Sequence, residues 1–358
     1  MQQMNIQPRC TATAIGSMPH RDPAGALDII FSATPQAPTW PQLPKRALRE
    51  QMEIQYSEGL PRIVIDEEKA RMFFDTSGDY SEDLAAFYEG YLSAEETGDC
   101  SSAAIGAAYS VGIPALEERL RAIGDKLPFV KCQTTGPVSF ALTIVDENKR
   151  PVFYNEEFVD TVVKGLTMKC RWQIQKFRPF AGHVLCFIDE PILSAFGSST
   201  YVSVQREDVV SKLREVIEGI HREAALAGIH CCGNTDWSIP IDAGADVVNF
   251  DAYDYGETVA LYPEHMTRHV VHNRGALAWG IVPTSSAVRE ESADSLVQRF
   301  EKLTDHLSER AGIDKRLLAE QAFITPACGT GSLDVADTER VFGLVGETGL
   351  KLQRLYNF

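Results

Sequence analysis

The sequence has no basic run and a clear deficit of positive charge. Its 358 residues carry 34 Lys+Arg against 50 Asp+Glu, a formal net charge of −16. Nucleic-acid binding relies on Lys and Arg neutralising phosphates, so the deficit argues against nucleic acid as a partner. It argues equally against an anionic membrane surface and, short of a local basic pocket, against a polyanionic substrate. No stretch approaches the ~18 apolar residues of a membrane span. The N-terminal MQQMNIQPRCTATAIGSMPH lacks the charged head and apolar stretch of a secretory signal, so the cytoplasm is the expected location. Internal repeats, low-complexity tracts and a clear linker are also missing. With 44% hydrophobic and 23% charged residues, the chain has folded rather than disordered composition.

What is present begins with eight cysteines: Cys10, Cys100, Cys132, Cys170, Cys186, Cys231, Cys232 and Cys328. In a long chain without a signal they are expected as reduced thiols, buried, metal-binding or catalytic. The length fits two domains of ~150 residues or one α/β barrel of ~250 residues with additions.

Short apolar runs alternate with longer helical patterns. The runs are Thr11–Ser17, Thr39–Leu43, Pro128–Thr134, His183–Asp189, Gly228–Cys232, Asp246–Asp251, Ala276–Val282 and Ala322–Cys328. Each is rich in β-branched or aromatic residues and ends near a turn former, as buried parallel strands do. Thr39–Leu43 is the weakest, because a proline suits a strand end. Arg206–Ala227 carries apolar residues at three- and four-residue steps, with Gly228 as the expected C-cap. Glu156–Phe177 and Ser292–Ala311 behave similarly. Eight strands with intervening helices predict an α/β fold, a (β/α)8 TIM barrel; a doubly wound open sheet is the alternative. The long connection after the second strand, about residues 44–127, reads as an insertion into a single domain spanning residues 1–358, with a possible hairpin at Arg62–Asp66 and Arg71–Phe74.

Barrel enzymes place their sites where strands end, and here the strand ends carry the chemistry. In His230–Cys231–Cys232 the period-two alternation of a strand turns His230 and Cys232 to the same side. An imidazole and a thiolate so placed can ligate Zn²⁺; the plain alternative is a buried cysteine pair beside a chance histidine. Cys328 ends the last strand in TPACGTGS and would project towards the same mouth, or sit in the core. Asp251 ends DVVNFD and either completes a tetrahedral set, caps the next helix or orients a ligand. Asp189 and Glu190 follow the apolar VLCFI: one could bind a substrate ammonium, or either could pair with a buried arginine. Ile15, Gly16 and Ser17 end the first strand, where a backbone N–H and the Ser17 hydroxyl could hold a carboxylate, or form an ordinary turn.

Taken together, Ile15–Gly16–Ser17, Thr135–Gly136–Pro137, Asp189–Glu190–Pro191, His230-x-Cys232, Ala245–Asp246–Val247 before Asp251, and Pro326–Ala327–Cys328–Gly329 resemble, in family order, the catalytic barrel of cobalamin-independent methionine synthase. Its superfamily includes uroporphyrinogen decarboxylase and zinc-dependent methyltransferases that use corrinoid proteins. The resemblance implies one zinc ion on His230, Cys232 and Cys328, with Asp251 at the family's glutamate position. It implies homocysteine as the substrate, its carboxylate at Ser17 and its ammonium at Asp189. Glu58, in the insertion, is the candidate for the family's second ammonium-binding acid.

Two departures shape the expectation. The folate-using enzyme has two barrels, whereas this chain has one. Where the family carries an aspartate and a histidine that protonate the folate leaving group, this sequence has Pro283 and Ser285. A folate amine leaves poorly without protonation, whereas cobalt needs no proton, so a methylcorrinoid or a corrinoid protein is the expected donor. Rival readings are a methyltransferase for another thiol, a non-catalytic zinc barrel that binds a corrinoid protein, and a decarboxylase-like enzyme, against which the net charge and the His-x-Cys…Cys set both count. Trp40 and Trp279 are expected to pack near the mouth, His20 to cap or lie on the surface, and His265, His269 and His272 to form a solvated helix face.

Overall fold

In the computed structural model, which describes residues 6–358, the chain forms an α/β fold around a curled parallel sheet of seven strands. The strands are β1 (Thr11–Ala12), β4 (Leu127–Thr135), β5 (Ala181–Asp189), β6 (Leu226–Cys231), β7 (Val247–Phe250), β8 (Ala276–Val282) and β9 (Ala322–Pro326); β2 (Ile63–Asp66) and β3 (Arg71–Phe74) make a separate antiparallel hairpin. The order across the sheet is β1-β9-β8-β7-β6-β5-β4. The first strand therefore pairs with the last, in register Thr11↔Phe323.

The two edges, β1 and β4, are joined through the segment expected as the second strand. Gln42 N–H donates to Gly16 O and Met18 N–H to Gln42 O, while Lys131 N–H donates to Pro38 O and Phe129 N–H to Gln36 O. Only the isolated bridges Ser17↔Gln42 and Thr39↔Lys131 form there. The reason is local: Pro38, Pro41 and Pro44 supply no N–H, so a continuous ladder cannot form. Side chains replace it. Lys131 Nζ donates to Ile15 O at 2.6 Å and to Gln133 Oε1 at 3.2 Å, and Thr39 Oγ1 donates to the same Gln133 oxygen at 2.7 Å.

Alternation along the strands separates two apolar layers. Residues including Ile15, Phe129, Leu185, Phe187, Leu226, Val247 and Phe323 fill the inside of the curl. The larger layer lies between sheet and helices. Helix Glu156–Phe177 coincides with its expectation, and helix Ala293–Ala311 starts behind a Ser292 capping box. The next expectation needs correcting. Its helix ends at Arg222, before Gly228. Gly228 instead lies in β6, where a Cβ would come 2.3 Å from the Phe187 ring; it is there for packing, not for capping. Residues 44–127 hold the hairpin and the helices Met52–Gln55, Ser81–Thr97 and Gly112–Ile123. No helix among the described residues is long and apolar enough to cross a membrane.

Candidate functional site

The C-terminal ends of β5, β6 and β9 bring Asp189, His230, Cys232 and Cys328 to one place. His230, Cys232 and Cys328 form a group whose donor atoms all lie within 4.8 Å of one another, a set that could hold a metal ion. His230 is buried; Cys232 and Cys328 are half-buried. The Cys232 thiol is held down at about 4 by hydrogen bonds from the Cys328 thiol and from His230. Its partner is pushed the other way, because the Cys328 proton is retained in that bond and the site is buried. For His230, burial opposes the charged ring, but the contact with Cys232 and the nearby Asp189 charge outweigh it and raise the pKa.

Asp251 is not in this group. It is the N-cap of the short helix Ala252–Tyr255, and its Oδ1 accepts from Asp254 N–H at 2.9 Å. Burial raises its pKa to about 6.

Asp189 lies in register with His230 on the neighbouring strand. Its Oδ1 is buried with no hydrogen-bond partner, and burial raises the carboxyl to about 6. Glu190 is different. It is fully buried, and its carboxylate accepts from Val138 N–H (2.9 Å), Ser139 N–H (2.7 Å) and Ser139 Oγ (2.6 Å). It holds the start of helix Pro137–Thr143, and its two oxygens are occupied by protein. Burial still raises it to about 7, against those three donors.

The end of β1 packs onto the turn after β9. Ser17 O accepts from Thr330 N–H at 2.8 Å, and a Cβ on Gly329 would come 2.1 Å from Ser17 Oγ. Gly16 has φ +140°, and a Cβ there would come 2.4 Å from Gln133 Nε2, so only glycine fits. The Ile15 carbonyl is taken by Lys131, whose burial lowers its pKa to about 8.

Several residues do other work than expected. Glu58 accepts from Gly106 N–H at 2.6 Å, within the 44–127 segment. His269 is 1% exposed, and its Nε2–H donates to Ala276 O at 3.0 Å. The turn Arg268–His272 is a π-helix with His269 in the core; Arg268 and His272 are exposed and His265 is half-buried, so the expected solvated face fails at His269 alone. His20 is half-buried, with neither ring nitrogen partnered, and burial lowers its pKa. Trp40 and Trp279 are buried. A cavity of about 620 Å³ lies elsewhere, between helices Pro23–Ala33 and Val335–Tyr356; Cys10 is the one thiol lining it, raised by burial.

Sequence reasoning missed Asn249, on β7 beside His230, and Glu50. Asn249 Oδ1 lies 2.5 Å from His230 Nδ1. Its signal was available: a polar residue at an inward position of an apolar strand. Glu50 is buried beside Leu43, with Oε1 on Arg46 at 2.6 Å and Oε2 unpartnered; burial raises its pKa.

No protein-family description matches the chain, and no curated protein sequence matches it. Among solved structures it is similar to a B12-independent methionine synthase from Shewanella sp. W3-18-1 in complex with selenomethionine, with 14% identity and a TM-score of 0.46, over 69% of this chain and 67% of that one.

Proposed function

We propose that the chain is a zinc-dependent methyltransferase that moves a methyl group to a thiol, homocysteine giving methionine, with a methylcorrinoid rather than methyltetrahydrofolate as donor. The observation that supports it most is the convergence of His230, Cys232 and Cys328 beside the Asp189 carboxylate. In this reading residues 1–358 are one (β/α)8 barrel in the cytoplasm, and about 44–127 is an insertion.

The donor set fits zinc. Tetrahedral zinc with ~2.3 Å bonds to sulfur needs ligand atoms on the order of 3.8 Å apart, and a spacing within 4.8 Å closes to that with small side-chain shifts. Three protein ligands leave a fourth position open, as catalytic rather than structural sites do. Zinc held there supplies Lewis acidity, lowering the pKa of a bound thiol so that it is a thiolate at neutral pH.

The chain's own groups do the rest. Asp189 pairs with the substrate ammonium, and the Gly16–Ser17 turn holds its carboxylate. Two anchored ends orient the sulfur for in-line attack on the methyl carbon. The sulfur–carbon bond forms as the carbon–cobalt bond breaks, and its electron pair stays on cobalt. The loop after β8 supports this donor: Pro283, Thr284 and Ser285 have no carboxylate or imidazole, and Ser285 Oγ accepts from Ala287 N–H at 3.3 Å.

The test is metal analysis with a methyl-transfer assay. About one zinc per chain is expected, with transfer to homocysteine from methylcobalamin and not from methyltetrahydrofolate. Transfer that continues unchanged after the metal is stripped overturns the reading.

A further inference from the structure

The group that decides which nitrogen of His230 faces the cluster is not itself a ligand. Asn249 sits in register with His230 on the adjacent strand and is fully buried. An amide can present oxygen or nitrogen at either end, so its other contacts must settle its orientation. The far end lies 2.8 Å from the Ala278 carbonyl oxygen and 2.9 Å from Thr325 Oγ1. A carbonyl only accepts, so the end facing it is the NH₂. Asn249 Oδ1 therefore faces His230, 2.5 Å from Nδ1. An oxygen there only accepts, so Nδ1 carries the proton. Nε2 is left for Cys232 and the cluster.

From this geometry we infer that Asn249 is a positioning residue for metal capture: it holds His230 as the Nδ1–H tautomer, makes Nε2 the ligand atom, and is itself held by Thr325 and the Ala278 carbonyl. The inference rests on the metal reading of the site above. It links β6, β7, β8 and β9 in one hydrogen-bonded chain across the interior. A metal ligand of this kind usually has a carboxylate or carbonyl behind it. The neutral amide gives orientation without extra negative charge, so two thiolates balance a divalent ion and its Lewis acidity is kept for the incoming thiol.

The test uses the zinc-loaded full chain. A long-range proton–nitrogen correlation spectrum should show Nδ1 of His230 protonated and Nε2 coordinated. Competition with a chromogenic chelator should show zinc affinity falling about 10–100-fold in Asn249→Ala. Asn249→Asp keeps the acceptor and should retain both the tautomer and an affinity within a few-fold. Coordination through Nδ1 in the wild type overturns the inference, as does wild-type affinity in a folded Asn249→Ala. If that variant does not fold, the wild-type spectrum and Asn249→Asp decide. Zinc binding indifferent to His230→Ala overturns the metal reading and this inference together; binding through His230 Nδ1 overturns this inference alone.

Discussion

Asp189 and Glu190 are consecutive residues with the same functional group and opposite surroundings. Asp189 turns into the ring of strands with a buried oxygen unpartnered, whereas Glu190 turns out of it and accepts three hydrogen bonds. Cys231 and Cys232 repeat the contrast. Cys231 is buried on the outer side, its thiol raised to about 12 by burial, while Cys232 faces the cluster and is held near 4. One peptide step separates a structural group from a reactive one. At these two steps the group that faces the cluster keeps hydrogen-bonding capacity or a lowered pKa, and its neighbour is engaged by the fold.

The largest expected effect breaks this contrast at the cysteines. Cys232→Ser should lower zinc affinity by more than about 100-fold, beyond what an outer partner of a ligand contributes. Cys231→Ser should leave affinity unchanged. Equal losses, measured by chelator competition, would show that sidedness does not assign the chemistry. Next come the carboxylates. Asp189→Asn should weaken homocysteine binding about 10–100-fold, as losing a charged hydrogen bond of ~1.5–3 kcal/mol does, with an unchanged melting temperature. Glu190→Gln should do the reverse, costing about 1–3 kcal/mol of stability because it leaves buried donors poorly matched. Calorimetric titration and thermal melts separate the two.

The smallest effect concerns a poorly satisfied charge in the outer layer. Lys169, in the long helix Glu156–Phe177, is buried with a single distant acceptor, Ala103 O at 3.5 Å, and burial lowers its pKa to about 8. The unfolded chain, with a lysine pKa of ~10.4, binds more protons between those values. Stability should therefore rise as pH increases from about 8 towards 10. Lys169→Met should flatten that rise and add about 1 kcal/mol at neutral pH. A wild-type denaturation midpoint that falls across this window would contradict it.

Much of the scaffold was legible because buried parallel strands are written as short β-branched runs, and Ala276–Val282 has the same limits in both readings. The grouping of His230, Cys232 and Cys328 followed from alternation and strand ends. What was hidden depended on partners far away in the chain. The occupation of Glu190 depends on Val138 and Ser139, the role of Asn249 on Ala278 and Thr325, and the side-chain bridging at Thr39–Leu43 on Lys131 and Gln133. The π-turn that buries His269 has no period in the sequence to announce it.

The pairing of the first strand with the last has a consequence for how the protein is made. Ser17 leaves the ribosome early and Cys328 late, yet Ser17 packs against the turn that follows Cys328. A nascent chain that has not released β9 holds His230 and Cys232 but neither the second thiol nor the partner of β1. In the proposed zinc reading, metal capture therefore follows the release of β9, and a chain stalled before it lacks the Cys328 hydrogen bond that holds the Cys232 thiol down.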